Sequence, residues 1–178
     1  MFDSDISIKG TYARYWKELS ETPGNAKDGG SNFKIFSNYI YVYMVAPIIG
    51  LQYGRKGSFD PADESKDTAG MLAEVLIKNK AKLTYIYRLI ILCDDTQGLS
   101  KEQKIEMAFK SNDKDSVSKG MDLYTAYFLG GLDVLHETFV DECIDDNDYI
   151  KKLYEFVDEY QEREKLGDID LDIAELLK

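Results

Sequence analysis

The chain has 178 residues, 44% of them hydrophobic and 12% aromatic, which is enough to bury a core of ordinary size and excludes disorder as the default. Its only cysteines, Cys93 and Cys143, stand far apart in apolar segments, so neither a disulfide framework nor a zinc ribbon has a basis. The net charge of −11 sits in the last quarter: residues 1–132 hold 17 acids and 17 bases, whereas residues 133–178 hold 16 acids and 5 bases. The opening MFDSDISIKG carries acids where a secretory signal carries bases, and the apolar runs are too short to span a bilayer. A cytoplasmic location with no membrane partner is expected.

In GTYARYWKELSE, Tyr12, Tyr15, Trp16 and Leu19 fall at helical spacing, and Pro23–Gly24 closes that element. Residues 22–32 are polar and glycine-rich and read as a flexible loop. The stretch 36–56, FSNYIYVYMVAPIIGLQYGRK, alternates tyrosines with aliphatics as a strand does, yet its apolar residues also fit a helix. A lone strand would leave its backbone groups without partners, and nothing else in the sequence offers a convincing second strand. The stretch is therefore expected to form a helix over about 35–54, apolar on nearly all sides, central to the fold and bent at Pro47.

Residues 55–68 read as a loop, with Gly54 and Gly57 suited to the preceding helix end and Asp60–Pro61 to a turn. A long amphipathic helix follows over about 70–95, broken near Asn79, and Ser100 with Gln103 forms a capping-box pattern for the next one. A second long helix covers about 115–143, capped by Asp113 or Asp115. Its middle holds Gly130–Gly131, which permits a close backbone approach or marks a kink. Residues 145–178 form an acidic helical segment, in which Ile150, Leu153, Tyr154, Val157 and Tyr160 are helically spaced. Gly167 ends that helix, and a last short one, LDIAELLK, closes the chain. The fold class is all-α: one domain spanning 1–178, with about six or seven helices around a buried central one.

Candidate chemistry is thin. Asp133, His136 and Glu137 could supply a base with an orienting carboxylate or part of a metal site, but the second histidine of HExxH is missing. Acid pairs three apart, such as Glu155 with Asp158, could hold magnesium in a hydrolase, yet 33 acids make such spacings common by chance. Asp168, Asp170 and Asp172 imitate a calcium loop that then lacks its glycine, and Asp168 or Asp170 reads as a cap. The basic residues Arg55, Lys56, Lys78 and Lys82 could contact an anion or a partner. Arg88, set in the apolar run LTYIYRLIILCDD, must find a carboxylate or reach solvent; an ion pair within the bundle is the leading expectation and a ligand carboxylate or phosphate the alternative.

No cluster combines distinct chemical roles at the spacing a reaction requires, so no cofactor and no resident metal is expected. The leading expectation is a non-catalytic protein-interaction module, adaptor or small subunit, self-associating or bound to a partner that its acidic end would favour being basic. The alternatives are an accessory or inhibitor protein of a nucleic-acid-processing or defence system, as an acidic DNA mimic or through the basic residues, and a metal-dependent hydrolase using helix carboxylates.

Overall fold

The computed structural model describes residues 1–20, 34–110, 114–143 and 146–168. The expected 22–32 loop, a cap at Asp113, the aspartates Asp170 and Asp172 and the final short helix lie outside them. In chain order the elements are β1 (Ile6–Lys9), α1 (Thr11–Leu19), α2 (Tyr39–Gln52), β2 (Thr68–Met71), α3 (Ala73–Lys78), α4 (Lys80–Cys93), α5 (Lys101–Ile105), α6 (Lys114–His136) and α7 (Asp146–Asp168). Turns of π-helix, Glu106–Lys110 and Glu137–Asp141, continue α5 and α6. The architecture is the expected all-α one.

One short sheet adds to it. β1 pairs antiparallel with β2 in the register Ile6↔Met71 through Lys9↔Thr68. Neither four-residue strand has a local turn to announce it, which is why the sequence reads as strandless. The pairing brings the start of the chain onto α3. In front of α1, the Asp63 carboxylate accepts the Thr11 backbone N–H at 2.5 Å, so a residue of the 55–67 loop satisfies the first turn.

The central helix α2 begins at Tyr39, later than expected, because Phe36 forms a backbone bridge with Ser20. It buries Ile40, Val42, Tyr43, Met44, Ala46 and Ile49 from several directions, as a helix apolar all round must, though Tyr41 reaches solvent. Pro47 carries no N–H, so the Tyr43 carbonyl one turn earlier loses its helical donor. The buried Tyr124 hydroxyl donates to that carbonyl at 2.7 Å. α2 then ends in a Schellman motif: Gly54, at φ +62, donates to the Leu51 carbonyl at 3.0 Å, and Arg55 donates to the Gly50 carbonyl at 2.8 Å.

α6 runs unbroken through Gly130–Gly131. These glycines let α2 and its exit strand lie directly on α6: a Cβ on Gly131 would strike the Ala46 carbonyl, one on Gly130 the Arg55 carbonyl, and one on Gly50 the Tyr127 carbonyl. Close approach is therefore their role, and the kink is not needed. Around this crossing stand Phe2, Trp16, Tyr43, Tyr87, Tyr124 and Phe128, with ring centroids of Phe2 and Tyr124 at 5.6 Å and of Trp16 and Phe128 at 5.2 Å in edge-on geometry.

The long helix over 70–95 is broken at Asn79, as expected, where α3 gives way to α4. α5 opens with the full capping box: the Gln103 N–H reaches the Ser100 hydroxyl at 3.2 Å and the Gln103 side chain accepts the Ser100 N–H at 2.8 Å.

Candidate functional site

Arg55 and Lys56 leave the Schellman turn in different directions, and each meets a carboxylate on another element. The Arg55 guanidinium forms a two-point pair with Glu137, Nη1 to Oε2 at 2.5 Å and Nη2 to Oε1 at 2.6 Å, and its Nε lies 3.8 Å from Asp133 Oδ2. The Tyr12 hydroxyl donates to the same Asp133 oxygen at 3.2 Å. The Arg55 hydrogen bonds hold the Glu137 carboxyl below its ordinary range, whereas burial pushes Asp133 above it despite Arg55 and Tyr12. Burial, then the Asp133 charge, raises the Tyr12 phenol to about 12. The fold thus joins Arg55 to two of the polar candidates, Asp133 on α6 and Glu137 at the start of the π-helical turn that continues it.

His136 is held apart from that pair. Its Nε2 lies 2.7 Å from Glu18 Oε2 on α1, its Nδ1 lies 3.3 Å from Asp141 Oδ2, and its ring stacks on Tyr15 at 3.7 Å. A side chain only 6% exposed, with a carboxylate at each ring nitrogen, presents no free nitrogen to a substrate or a metal. Cys143 turns to the Thr138 carbonyl, 3.6 Å away. Among the described residues, no three His, Cys, Asp or Glu side chains converge on a possible metal position.

Lys56 reaches Asp94 Oδ1 at 3.1 Å and the Thr96 hydroxyl, and its ammonium lies 4.7 Å from the centre of the Tyr127 ring. The Tyr127 hydroxyl donates to the same Asp94 oxygen at 2.5 Å, and Thr96 does so at 2.7 Å. Burial alone would raise the Asp94 carboxyl, but these donors outweigh it and hold it below its usual value. The cluster lies at the edge of a cleft of about 970 Å³ between the end of α4, α5 and the first half of α6, lined also by Ile91, Met107, Lys119 and Leu123. Neither Asp94 nor Thr96 is singled out by sequence spacing, because Lys56 meets them only through the fold.

Arg88 departs from the expected ion pair. Among the described residues its partners are the Ala108 carbonyl, accepting from Nε at 3.1 Å, and the Phe109 ring, 4.7 Å beneath the guanidinium. The side chain is only half-buried, so water and a π face replace a carboxylate. Lys78 and Lys82 are exposed, and among the described residues neither has an ion-pair partner. They continue an outward row with Leu72, Val75 and Tyr85, while Leu76, Leu83 and Ile86 turn inward.

α7 holds the largest surprise. Its apolar attachment runs through Tyr149, which is buried, and Phe156, whose ring is stacked parallel to Tyr53 at 6.2 Å and edge-on to Phe139 at 5.3 Å; the Tyr53 hydroxyl also donates to Glu159 at 3.4 Å, and Lys152 pairs with Glu142 at 2.7 Å. Ile150, Leu153, Tyr154, Val157 and Tyr160 instead face outward, with Tyr154 70% exposed. Asp158 and Glu162 lie beside them in the open. Among the described residues no helix is long and apolar enough to cross a membrane. Compared with models of protein families, with curated proteins and with solved structures, the chain matches none.

Proposed function

We propose that the protein is a non-catalytic interaction module that docks a basic, amphipathic protein segment on the outward face of α7. The observation that carries this reading is the α7 stripe: five large apolar side chains exposed on one helix, flanked by Asp158 and Glu162. Contiguous exposed apolar surface rimmed by polar groups is how helix-in-groove contacts present themselves before the partner arrives. The carboxylates select among apolar partners, favouring one that brings lysine or arginine beside its hydrophobic residues.

A catalytic reading has weaker support. Arg55 and Lys56 are committed to carboxylates of this chain, and both nitrogens of His136 face acids. The hydrolase alternative rests on convergent carboxylates, and the acids of α7 lie along an open face beside lysines such as Lys151, 3.7 Å from Glu155.

The test compares the full chain with a Tyr154→Ser, Val157→Asp variant as bait in native cell extract. Proteins retained by the wild type and lost by the variant are identified, and a synthetic peptide of their basic amphipathic segment is titrated against the purified chain. Binding of that peptide to the wild type alone is the expected result. A variant that retains the same proteins would overturn the reading, and competition of DNA with a nucleic-acid-binding partner would turn it toward mimicry of DNA.

A further inference from the structure

Two outward rows on this molecule are written in the same order with opposite charge. On α7, Ile150, Tyr154, Asp158 and Glu162 recur every four residues and are all exposed. From Leu72, just before α3, through Val75 and Lys78 on α3 to Lys82 and Tyr85 on α4, a second set of exposed side chains crosses the break at Asn79. Each row reads apolar, apolar, charged, charged. From Ile150 to Glu162 the helix rises about 18 Å. The acids stand one turn apart on α7, and the lysines lie on either side of the break at Asn79.

We infer that α7 docks on the exposed α3–α4 face of a second copy of this chain. The inference rests on the docking role given to α7 above and names its occupant. The apolar stripe of α7 then covers Leu72 and Val75, with its acids toward Lys78 and Lys82. Within one chain α7 cannot do this while Phe156 remains seated against Tyr53 and Phe139.

Charge decides between this arrangement and the other self-contact the apolar stripe allows. The whole acidic excess lies in residues 133–178 and the rest of the chain is balanced. Residues 146–168 hold 8 acids and 4 bases, so pairing α7 with α7 brings two net-negative helices together, whereas seating it on α3–α4 sets Asp158 and Glu162 against two lysines that lack ion-pair partners among the described residues. A reciprocal exchange of α7 closes a dimer; a one-way exchange builds a longer assembly.

The experiment is analytical ultracentrifugation of the full chain over a concentration series, with two charge-reversed variants, K78E/K82E and D158K/E162K. All four positions are exposed, and circular dichroism confirms that each variant folds. The wild type is expected to self-associate and to dissociate as salt is raised; each variant alone is expected to be monomeric, and an equimolar mixture to recover the complex. A wild type that stays monomeric, or association that K78E/K82E leaves intact and salt strengthens, overturns the inference. A monomeric wild type that still loses a foreign partner on Tyr154→Ser, Val157→Asp replacement would leave the docking role of α7 standing without a second copy as occupant.

Discussion

The Tyr124 hydroxyl donates to the carbonyl of Tyr43 at 2.7 Å, where Pro47 has withdrawn the helical N–H. Burial lifts the Tyr124 phenol well above its usual range, so it remains a donor at every pH at which the protein is handled. Tyr124→Phe is expected to lower stability by about 1–3 kcal/mol, because it orphans a buried acceptor. In a Pro47→Ala background, where the helix regains its own donor, the same replacement is expected to have a clearly smaller effect. Urea unfolding of the four proteins of this cycle, followed by fluorescence of the buried Trp16, measures the difference.

Glycine replacements separate contact from conformation. Gly131→Ala forces a methyl against the Ala46 carbonyl at the α2–α6 crossing, where neither backbone can retreat alone. A loss of about 3 kcal/mol or more is expected. Gly54→Ala meets open space and pays only for its positive φ, about 1–2 kcal/mol. Equal losses at the two positions in thermal or chemical unfolding would contradict this account of the crossing.

Arg55 and Lys56 are neighbours in sequence with unequal energetic weight. The Arg55–Glu137 pair is well formed but open, with side chains 41% and 53% exposed, and a double-mutant cycle to alanine is expected to give a coupling of about 1 kcal/mol or less. Asp94 is 1% exposed and accepts from Lys56, Thr96 and Tyr127, so Asp94→Ala should cost about 3–5 kcal/mol by leaving a lysine and a phenol without their partner. Because the folded carboxyl of Asp94 is held below its unfolded value, its contribution is complete above the ordinary carboxylate range. It is lost as pH falls through the lower folded value.

Asp133 has the opposite sign. Burial raises its folded pKa, so its ionised form opposes folding, and the penalty grows as pH rises through that raised value. Asp133→Asn keeps an acceptor for the Tyr12 hydroxyl without the charge. The variant is expected to melt above the wild type at pH 7 and to match it below the unfolded carboxylate range. Melting curves at pH 7 and pH 3 check both halves.

Where a feature is local, the sequence carries it. The break at Asn79, the capping box of Ser100 and Gln103 and the glycine exit of α2 all follow from neighbours a few residues apart, whereas the choice between a kink and a close approach at Gly130–Gly131 is made by Ala46 and Arg55 on a distant segment. What was illegible is what the fold brings from a distance. Ile6 finds Met71, and Arg55 finds Glu137 across 82 positions, because packing sets the distance and no residue spacing encodes it. Periodicity also marked the α7 apolar residues as a helix face without saying that the face points outward. Amphipathic spacing is the same for a face covered by its own chain and for one that another chain must cover.

The Tyr43–Tyr124 contact also has a bearing on how the protein is made. The two residues are separated by 81 positions, and the Gly50, Ala46 and Tyr43 surfaces of α2 are sheltered chiefly by α6. At about 5–20 residues per second, the ribosome leaves α2, the most apolar helix among the described residues, without its main cover for roughly 4–16 seconds. During that interval α2 is the segment most in need of a chaperone, and synonymous codons that slow translation between residues 52 and 114 should lower the yield of soluble protein without altering the product.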